Sequence, residues 1–361
     1  MRILIIGTLT GTVCGELLCN LRVTKLLKVC DNINHVYTIS STVDHEFTSP
    51  GIFSIKKFYS SLKIIFLSYM HIFKKIDVVY LTPGLTVFGL MRFVPIIFFY
   101  KLFNKRVICH FHGSRLKKTL SNPFFGCIFI YALSVCNKLI FLSEHLSADV
   151  SEFFPEKKCI VIPNSLESQW YKPFVKGAVS SKLRKVLFLS NFLSEKGIFQ
   201  SLEAMLLLYQ DGQSFEFYIA GNGSKENVEK VNAYIDKCPS LKMIGPIYGS
   251  DKIDLYRDSD IFLFPTIYKQ EAFPLVILEA LSSKCVVVSC STGAIPEILN
   301  DGISGVLLKD NNVATIYEAI KTLFDNDEMM STLSNNGFAR SLEYKADSIE
   351  ETLLNVILNE S

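Results

Sequence analysis

Two carboxylates with seven residues between them, Glu271 and Glu279, stand in the stretch PTIYKQEAFPLVILEALSSKCVVVS (265–289). The first lies where a short apolar run ends at Pro265. The second lies inside the otherwise greasy first turns of a helix that buries Leu275, Ile277, Leu278 and Leu281. Pro274 suits the first helical position, and the open amides beyond it can hold a sugar hydroxyl or a phosphate. At about 100° per residue the two carboxylates need not share a helix face, so they can grip hydroxyls on different parts of one ligand. A helix-dipole role for Glu271 and a solvated face for Glu279 are the plainer alternatives, although the apolar neighbours sit uneasily with a solvated Glu279.

Three further loops carry residues of the same character. SNFLSEKG (190–197) puts Asn191 and Lys196 between a strand and a helix, where an ammonium and open amides can hold a diphosphate. AGNGSKENV (220–228) places Gly221 and Gly223 at another strand-to-helix turn, and GTLTGTVCGE (7–16) supplies Gly7, Gly11 and Gly15. Their spacing fits neither a dinucleotide fingerprint nor a P-loop. HFHGS (110–114) ends a strand with two histidines. Side-chain alternation is read as sending one into the packing and the other, His112, toward a crevice, with a structural histidine the equal alternative. DSD (258–260) reads as exposed loop aspartates, no cluster has zinc-ligand spacing, and no GxSxG elbow is present.

Elements that could position these residues repeat along the chain. Near-continuous apolar runs at 2–7, 35–40, 77–82, 106–113, 138–143 and 159–164 read as parallel strands covered on both faces. A second series follows at 186–190, 216–221, 241–245, 261–265, 285–289 and 305–309. Helical stretches fill the gaps, which is the rhythm of doubly wound α/β sheets. The expected architecture is two Rossmann-like domains, 1–165 and 186–345, joined by a linker at 166–185 and facing a central cleft. A final helix, 346–361, returns to the first domain. Ligands in such sheets sit outside the carboxyl ends of the strands.

Charge divides the same way. Residues 1–165 hold 19 Lys and Arg against 9 Asp and Glu, a balance of +10, and the remainder holds 18 against 26, a balance of −8. A basic first half suits an anionic membrane surface or nucleic acid. The aromatics cluster in apparent core helices rather than interleaving with basic residues along a groove, which disfavours nucleic acid. The 10 cysteines form no CxxC pair, and the N-terminus runs straight into a strand, so a reducing cytoplasm is expected. No run reaches the roughly 20 apolar residues of a spanning helix. Residues 85–103 read as a buried helix or, alternatively, as a helix lying on a membrane face, and 56–75, with lysine pairs around an aromatic middle, supports the membrane-face reading.

Taken together, PTIYKQEAFPLVILEALSSKCVVVS and TGAIPEILNDGISGVLL (292–308) closely resemble the nucleotide-sugar-binding half of retaining glycosyltransferases of family 4, glycosyl transferases group 1, which have the two-domain B-type fold. The likeness is strongest over 185–310 and looser in the first domain. It implies that Glu271 and the amides around Ala272, Phe273, Leu275 and Val276 face the donor sugar and its phosphates. Glu279 would hold ribose hydroxyls and Lys196 the diphosphate. Gly221 and Gly223 would shape the nucleotide pocket, with Ile244 and Gly245 beside the base. His112 would lie near the transferred sugar, and the Gly11–Gly15 loop would approach the donor from the first domain. His112, Glu271 and Lys196 are the catalytic candidates.

The family often has arginine where Asn191 stands and glycine where Pro274 stands. Lys196 would then carry more of the phosphate charge, and one N–H donor is absent. The implied reaction moves a hexose from a UDP- or GDP-sugar, with retention and without a metal or other cofactor. The implied acceptor is a lipid-diphosphate-linked glycan of an O-antigen or capsule pathway, met by a cytoplasmic enzyme on the inner face of the membrane through its basic first domain. A nucleotide-sugar 2-epimerase of the same fold is the alternative. A nucleic-acid-binding protein is disfavoured, and a two-carboxylate glycosidase fits the glycine and lysine loops poorly.

Overall fold

The computed structural model describes residues 1–11, 14–42, 55–176, 183–300 and 302–359, with the side chains of Lys56 and Lys57 outside that set. The chain divides into two compact units, Met1–Asn164 with Asp347–Ser361, and Ser165–Ala346.

Each unit is built on a six-stranded parallel sheet. In the first, β1 (Arg2–Gly7), β2 (His35–Ser40), β3 (Val78–Leu81), β4 (Arg106–His110), β5 (Lys138–Phe141) and β6 (Cys159–Val161) run in the order β2-β1-β3-β4-β5-β6. In the second, β7 (Arg184–Leu189), β8 (Phe215–Ala220), β9 (Leu241–Gly245), β10 (Ile261–Phe264), β11 (Val286–Cys290) and β12 (Val306–Leu308) run β12-β11-β10-β7-β8-β9. All twelve strands read from the sequence are present, and the doubly wound α/β class holds for both units. Covering both faces explains the continuous apolar runs: every residue of β3, β10 and β11 is buried.

The first core joins Ile3 and Ile5 of β1, Val78 and Tyr80 of β3 and Ile108 of β4 to Val23 and Leu27 of the helix Gly15–Val29. Leu353 and Ile357 of the final helix, Ala346–Leu358, enter the same cluster. Fully burying each such side chain contributes about 1.5–3 kcal/mol. Arg106 then closes that helix, its guanidinium donating to the carbonyls of Val356 and Ile357 at 3.3 and 3.0 Å. These are carbonyls a helix end leaves without intrahelical donors.

Within the stretch read as a linker, the described residues up to Lys176 belong to the second unit, and β7 begins at Arg184. Leu166 pairs with Lys345 in an isolated parallel bridge, Leu166 N donating to Tyr344 O at 2.9 Å. Trp170 is buried edge-on against Tyr256. The Lys176 ammonium donates to the carbonyls of Ser259, Ser283 and Lys284 at 2.6, 3.0 and 2.7 Å, tying off the ends of two helices. The 85–103 stretch folds as two short helices, Val87–Met91 and Val94–Leu102, with Ile96, Ile97 and Tyr100 fully buried. Among the described residues no helix is long and apolar enough to cross a membrane.

Candidate functional site

In the second sheet the strand order reverses at β7, which has β8 on one side and β10 on the other. That switch point opens a crevice at the carboxyl ends of β7 and β10, the place such sheets bind ligands. The loop after β7 tightens into a short 3₁₀ turn, Ser194–Lys196, and turns into the helix Ile198–Gln210 through Gly197. Gly197 has φ +81°, and a Cβ there would stand 2.5 Å from the Pro265 carbonyl oxygen, so only glycine lets this turn press against the end of β10. Ile267 N donates to Glu195 O at 2.8 Å, stitching the two loops together.

This packing brings Lys196 and Glu271, from loops 75 residues apart, into an ion pair whose side chains are 12% and 13% exposed. The ammonium also lies 4.6 Å from the centroid of the Tyr268 ring and 5.3 Å from that of Phe264. A cation over two ring faces and against one carboxylate is held in place with little water around it.

Beyond Glu271, Ala272 and Phe273 are buried, and Phe273 sits edge-on to Tyr344. The segment is clamped from below: Ala294 N donates to Ala272 O at 2.7 Å, and Gly293 passes so close that a Cβ would lie 2.4 Å from Glu271 O. The helix begins at Leu275, with Pro274 at the N-cap in extended conformation (φ −73°, ψ 114°) rather than at the first helical position. The shift is one residue. The extended ψ keeps Pro274 out of the helical turn, and no side chain caps the helix. The Leu275 and Val276 amides therefore have no acceptor within their own helix and define the positive end of its dipole.

Glu279, one turn deeper, is 6% exposed. Its partner is Lys252 of the helix Gly249–Asp258, whose ammonium donates to Glu279 Oε1 at 2.7 Å and is itself 19% exposed. Tyr256 of that helix reaches Val276 O at 3.2 Å, fixing the two helices side by side. Sequence reasoning missed Lys252. The signal that could have raised it is the buried carboxylate itself, which needs a cation or several donors.

The remaining second-unit candidates gather at the carboxyl ends of β7, β8 and β9. Gly221 N donates to Gly245 O at 2.9 Å, and Gly221, at φ +133°, has no room for a Cβ beside Ser190 O. Gly223 lies against Phe192, whose N–H donates to Asn222 O at 2.7 Å. Ile244 is 42% exposed at the end of β9, and Asn191 is exposed at the end of β7. Asp258 and Asp260 of the DSD stretch serve β7 instead: Lys185 Nζ pairs with Asp258, and Lys185 N donates to Asp260 Oδ2 at 2.9 Å.

Gly11, Gly15 and His112 belong to the first unit. Gly11 follows β1 with φ +114°, Gly15 opens the helix Gly15–Val29, and Thr12 and Val13 between them lie outside the described residues. The expectation that His110 and His112 point opposite ways is wrong. Their ring centroids are 4.2 Å apart, because residues two apart fall on the same side of an extended chain. Tyr80 Oη bonds His110 Nδ1 at 2.5 Å, while both ring nitrogens of His112 are shut off from solvent without a partner. Burial pushes the His112 pKa down to about 4, so the ring is neutral at physiological pH.

At the start of the helix Gly15–Val29, Thr8 Oγ1 donates to Glu16 Oε1 at 2.9 Å. Burial raises the Glu16 carboxyl above its usual range, against the opposing pull of Thr8 and Arg92. Glu16 was not singled out in the sequence. Among the described residues no three His, Cys, Asp or Glu side chains stand together as metal ligands.

Two six-stranded Rossmann-like units in one chain define the B-type glycosyltransferase architecture, and solved structures of that class match along the whole chain. HepE of Anabaena, crystallised with UDP, superposes with a TM-score of 0.75 at 14% identity, covering 99% of this chain and all of that one. Residues 172–340 match the family model described as glycosyl transferases group 1. The capsular polysaccharide biosynthesis glycosyltransferase CapM of Staphylococcus aureus is 24% identical over 205 residues, 55% of this chain and 51% of that protein. The N,N'-diacetylbacillosaminyl-diphospho-undecaprenol alpha-1,3-N-acetylgalactosaminyltransferase of Campylobacter jejuni is 28% identical over 199 residues, 53% of this chain and 49% of that protein. The chain thus spans about half the length of these two curated relatives.

Proposed function

We propose that this protein is a retaining glycosyltransferase. It moves a hexose-type sugar from a nucleoside diphosphate sugar, with UDP favoured and GDP the second choice, to a lipid-diphosphate-linked glycan in bacterial surface-polysaccharide synthesis. The observation that carries the reading is the switch-point site of the second unit. There the buried Lys196–Glu271 pair faces the same loop that opens the helix Leu275–Ser282, and the buried Glu279 lies one turn in. The UDP of HepE supports the donor class, and the printed activity of the Campylobacter relative supports the lipid-linked acceptor.

In this reading the departing diphosphate is the charge to be stabilised. Lys196 supplies a fixed ammonium, and the amides of Leu275 and Val276 supply aligned dipoles, without a metal. The amides are in place before reaction, and the Lys196 ammonium, held by Glu271 in the empty site, is shared with the diphosphate when the donor binds. Glu271 orients the transferred sugar, and Glu279 shares its oxygens between Lys252 and the ribose hydroxyls. Gly221, Gly223, Ile244 and Gly245 shape the nucleotide end. His112, neutral, can offer a hydroxyl a hydrogen bond rather than a charge. The enzyme works at the cytoplasmic face of the membrane, where its acceptor is held.

The test is transfer from labelled UDP- and GDP-sugars to a polyprenyl-diphosphate-linked acceptor, with and without EDTA, and the anomeric configuration of the product read by NMR. The reading expects EDTA-insensitive transfer with the donor's configuration kept. Conversion of donor alone would point to the 2-epimerase, and an inverted product would sink the retaining mechanism.

A further inference from the structure

The helix Ile55–Met70 and the turn His71–Lys74 face the wrong way for an ordinary surface element. The inner face does bury its share: Ile64 and Ser68 are buried, Tyr100 Oη donates to Ser68 O at 2.5 Å, and Tyr69 stacks on Phe99 at 4.0 Å. The outer face, which should be polar, instead carries Tyr59, Leu62, Phe66 and Phe73 at three-, four- and seven-residue spacing. Phe66 is 64% exposed and Phe73 is 78% exposed. The apolar layer runs on across neighbouring helices. Phe99 stands 5.1 Å from the half-exposed Phe103, and Phe98 stands 5.6 Å from Tyr131, which is 63% exposed. A patch of large aromatics of this extent marks an interaction surface.

Charge identifies what it meets. Lys63, Lys74 and Lys75 are exposed beside the stripe. Across residues 47–143 the chain holds 13 lysines and arginines and a single acidic residue, Asp77. A second copy of this face would set like charges against each other, and nothing acidic in this region could offset them. An anionic bilayer offers the opposite charge to the lysines and an apolar depth of a few ångströms to the aromatics, which is how interfacial helices bind. We propose that the helix Ile55–Met70 with the turn His71–Lys74 is the membrane-docking face of the first unit. Phe66 and Phe73 insert between anionic lipid headgroups, and Lys63 and Lys74 lie on the headgroup layer. The inference rests on the proposed lipid-linked acceptor for its purpose, but the exposed stripe stands without it.

Co-sedimentation of the full chain with phosphatidylcholine vesicles, with and without phosphatidylglycerol, at low and high salt, tests this. The wild-type chain is expected to bind only the anionic vesicles and to let go at high salt. Phe66→Ser/Phe73→Ser and Lys63→Glu/Lys74→Glu should each weaken partition at least about tenfold. Both variants should keep the wild-type melting temperature and the wild-type shift with UDP, which separates lost docking from lost folding. Wild-type protein that ignores anionic vesicles, variants that bind as wild type does, or a dimer abolished by Phe66→Ser/Phe73→Ser would each overturn the assignment. Vesicle binding as expected with no nucleotide response would leave the docking face standing and bring down the transferase reading.

Discussion

Removing Glu271 should weaken the empty protein and strengthen its hold on a diphosphate. Its carboxylate is the ion-pair partner of Lys196, and neither side chain is more than 13% exposed, so little water can replace what is lost. Breaking a buried pair by removing one member costs about 3–5 kcal/mol. The Tyr268 and Phe264 faces remain under the ammonium and return about 1 kcal/mol of that. Glu271→Ala should therefore lose roughly 2–4 kcal/mol, or about 4–16 °C in melting temperature for a unit of this size. UDP carries no sugar for Glu271 to orient, and its phosphates supply the charge that Lys196 has lost. The UDP-induced shift should accordingly be larger in Glu271→Ala than in the wild-type chain, while transfer is abolished. The double variant Lys196→Met/Glu271→Ala should regain most of the stability and lose the UDP shift. Differential scanning fluorimetry with and without UDP reads all three. An unchanged melting temperature in Glu271→Ala, or a UDP shift smaller than wild type, would refute the argument that this pair is the diphosphate's competitor.

Other outcomes follow from the same geometry. Lys252→Met leaves the Glu279 carboxylate buried without its cation, so the chain should lose about 3 kcal/mol or more by chemical denaturation, and ribose-bearing ligands should restore part of it. Gly293→Ala places a Cβ 2.4 Å from Glu271 O; its backbone must shift, and steady-state kinetics should show a larger loss in kcat than any loss in melting temperature. His112 has its pKa lowered to about 4, so above pH 6.5 both folded and unfolded states hold it neutral and it adds no pH dependence. Below pH 6.5 the unfolded chain takes up a proton that the folded chain refuses until about pH 4, costing roughly 2 kcal/mol at pH 5. His112→Gln should flatten the fall in stability across that window, and urea titrations at stepped pH would show it.

The twelve strands were legible because parallel strands buried on both faces leave unbroken apolar runs that few other structures require. Glu271, Glu279 and Lys196 were legible as residue types out of place: carboxylates in a greasy helix and its entry loop, and an ammonium after a strand. What joins them was not. The Lys252–Glu279 pair depends on how the helix Gly249–Asp258 packs beside Leu275–Ser282, and no local spacing encodes that. The Lys196–Glu271 pair depends on Gly197 letting its turn press on Pro265. The histidines were misread through a misapplied period, since two residues along an extended chain return to the same face. The 56–75 stretch showed its aromatic character in sequence, but only the packing of Ile64, Ser68 and Tyr69 shows which side is turned outward.

The central claim is a metal-free nucleoside diphosphate site that depends on Glu279. Thermal melting of the full chain with UDP, GDP, ADP, CMP and dTDP, each with and without EDTA, tests it most directly. Stabilisation by UDP, or by GDP as second choice, is expected. At a hundredfold excess over Kd that stabilisation is worth about 2.7 kcal/mol, indifferent to EDTA and lost in Glu279→Ala. No shift with any nucleotide, or a shift that EDTA abolishes or that Glu279→Ala retains in full, would contradict it.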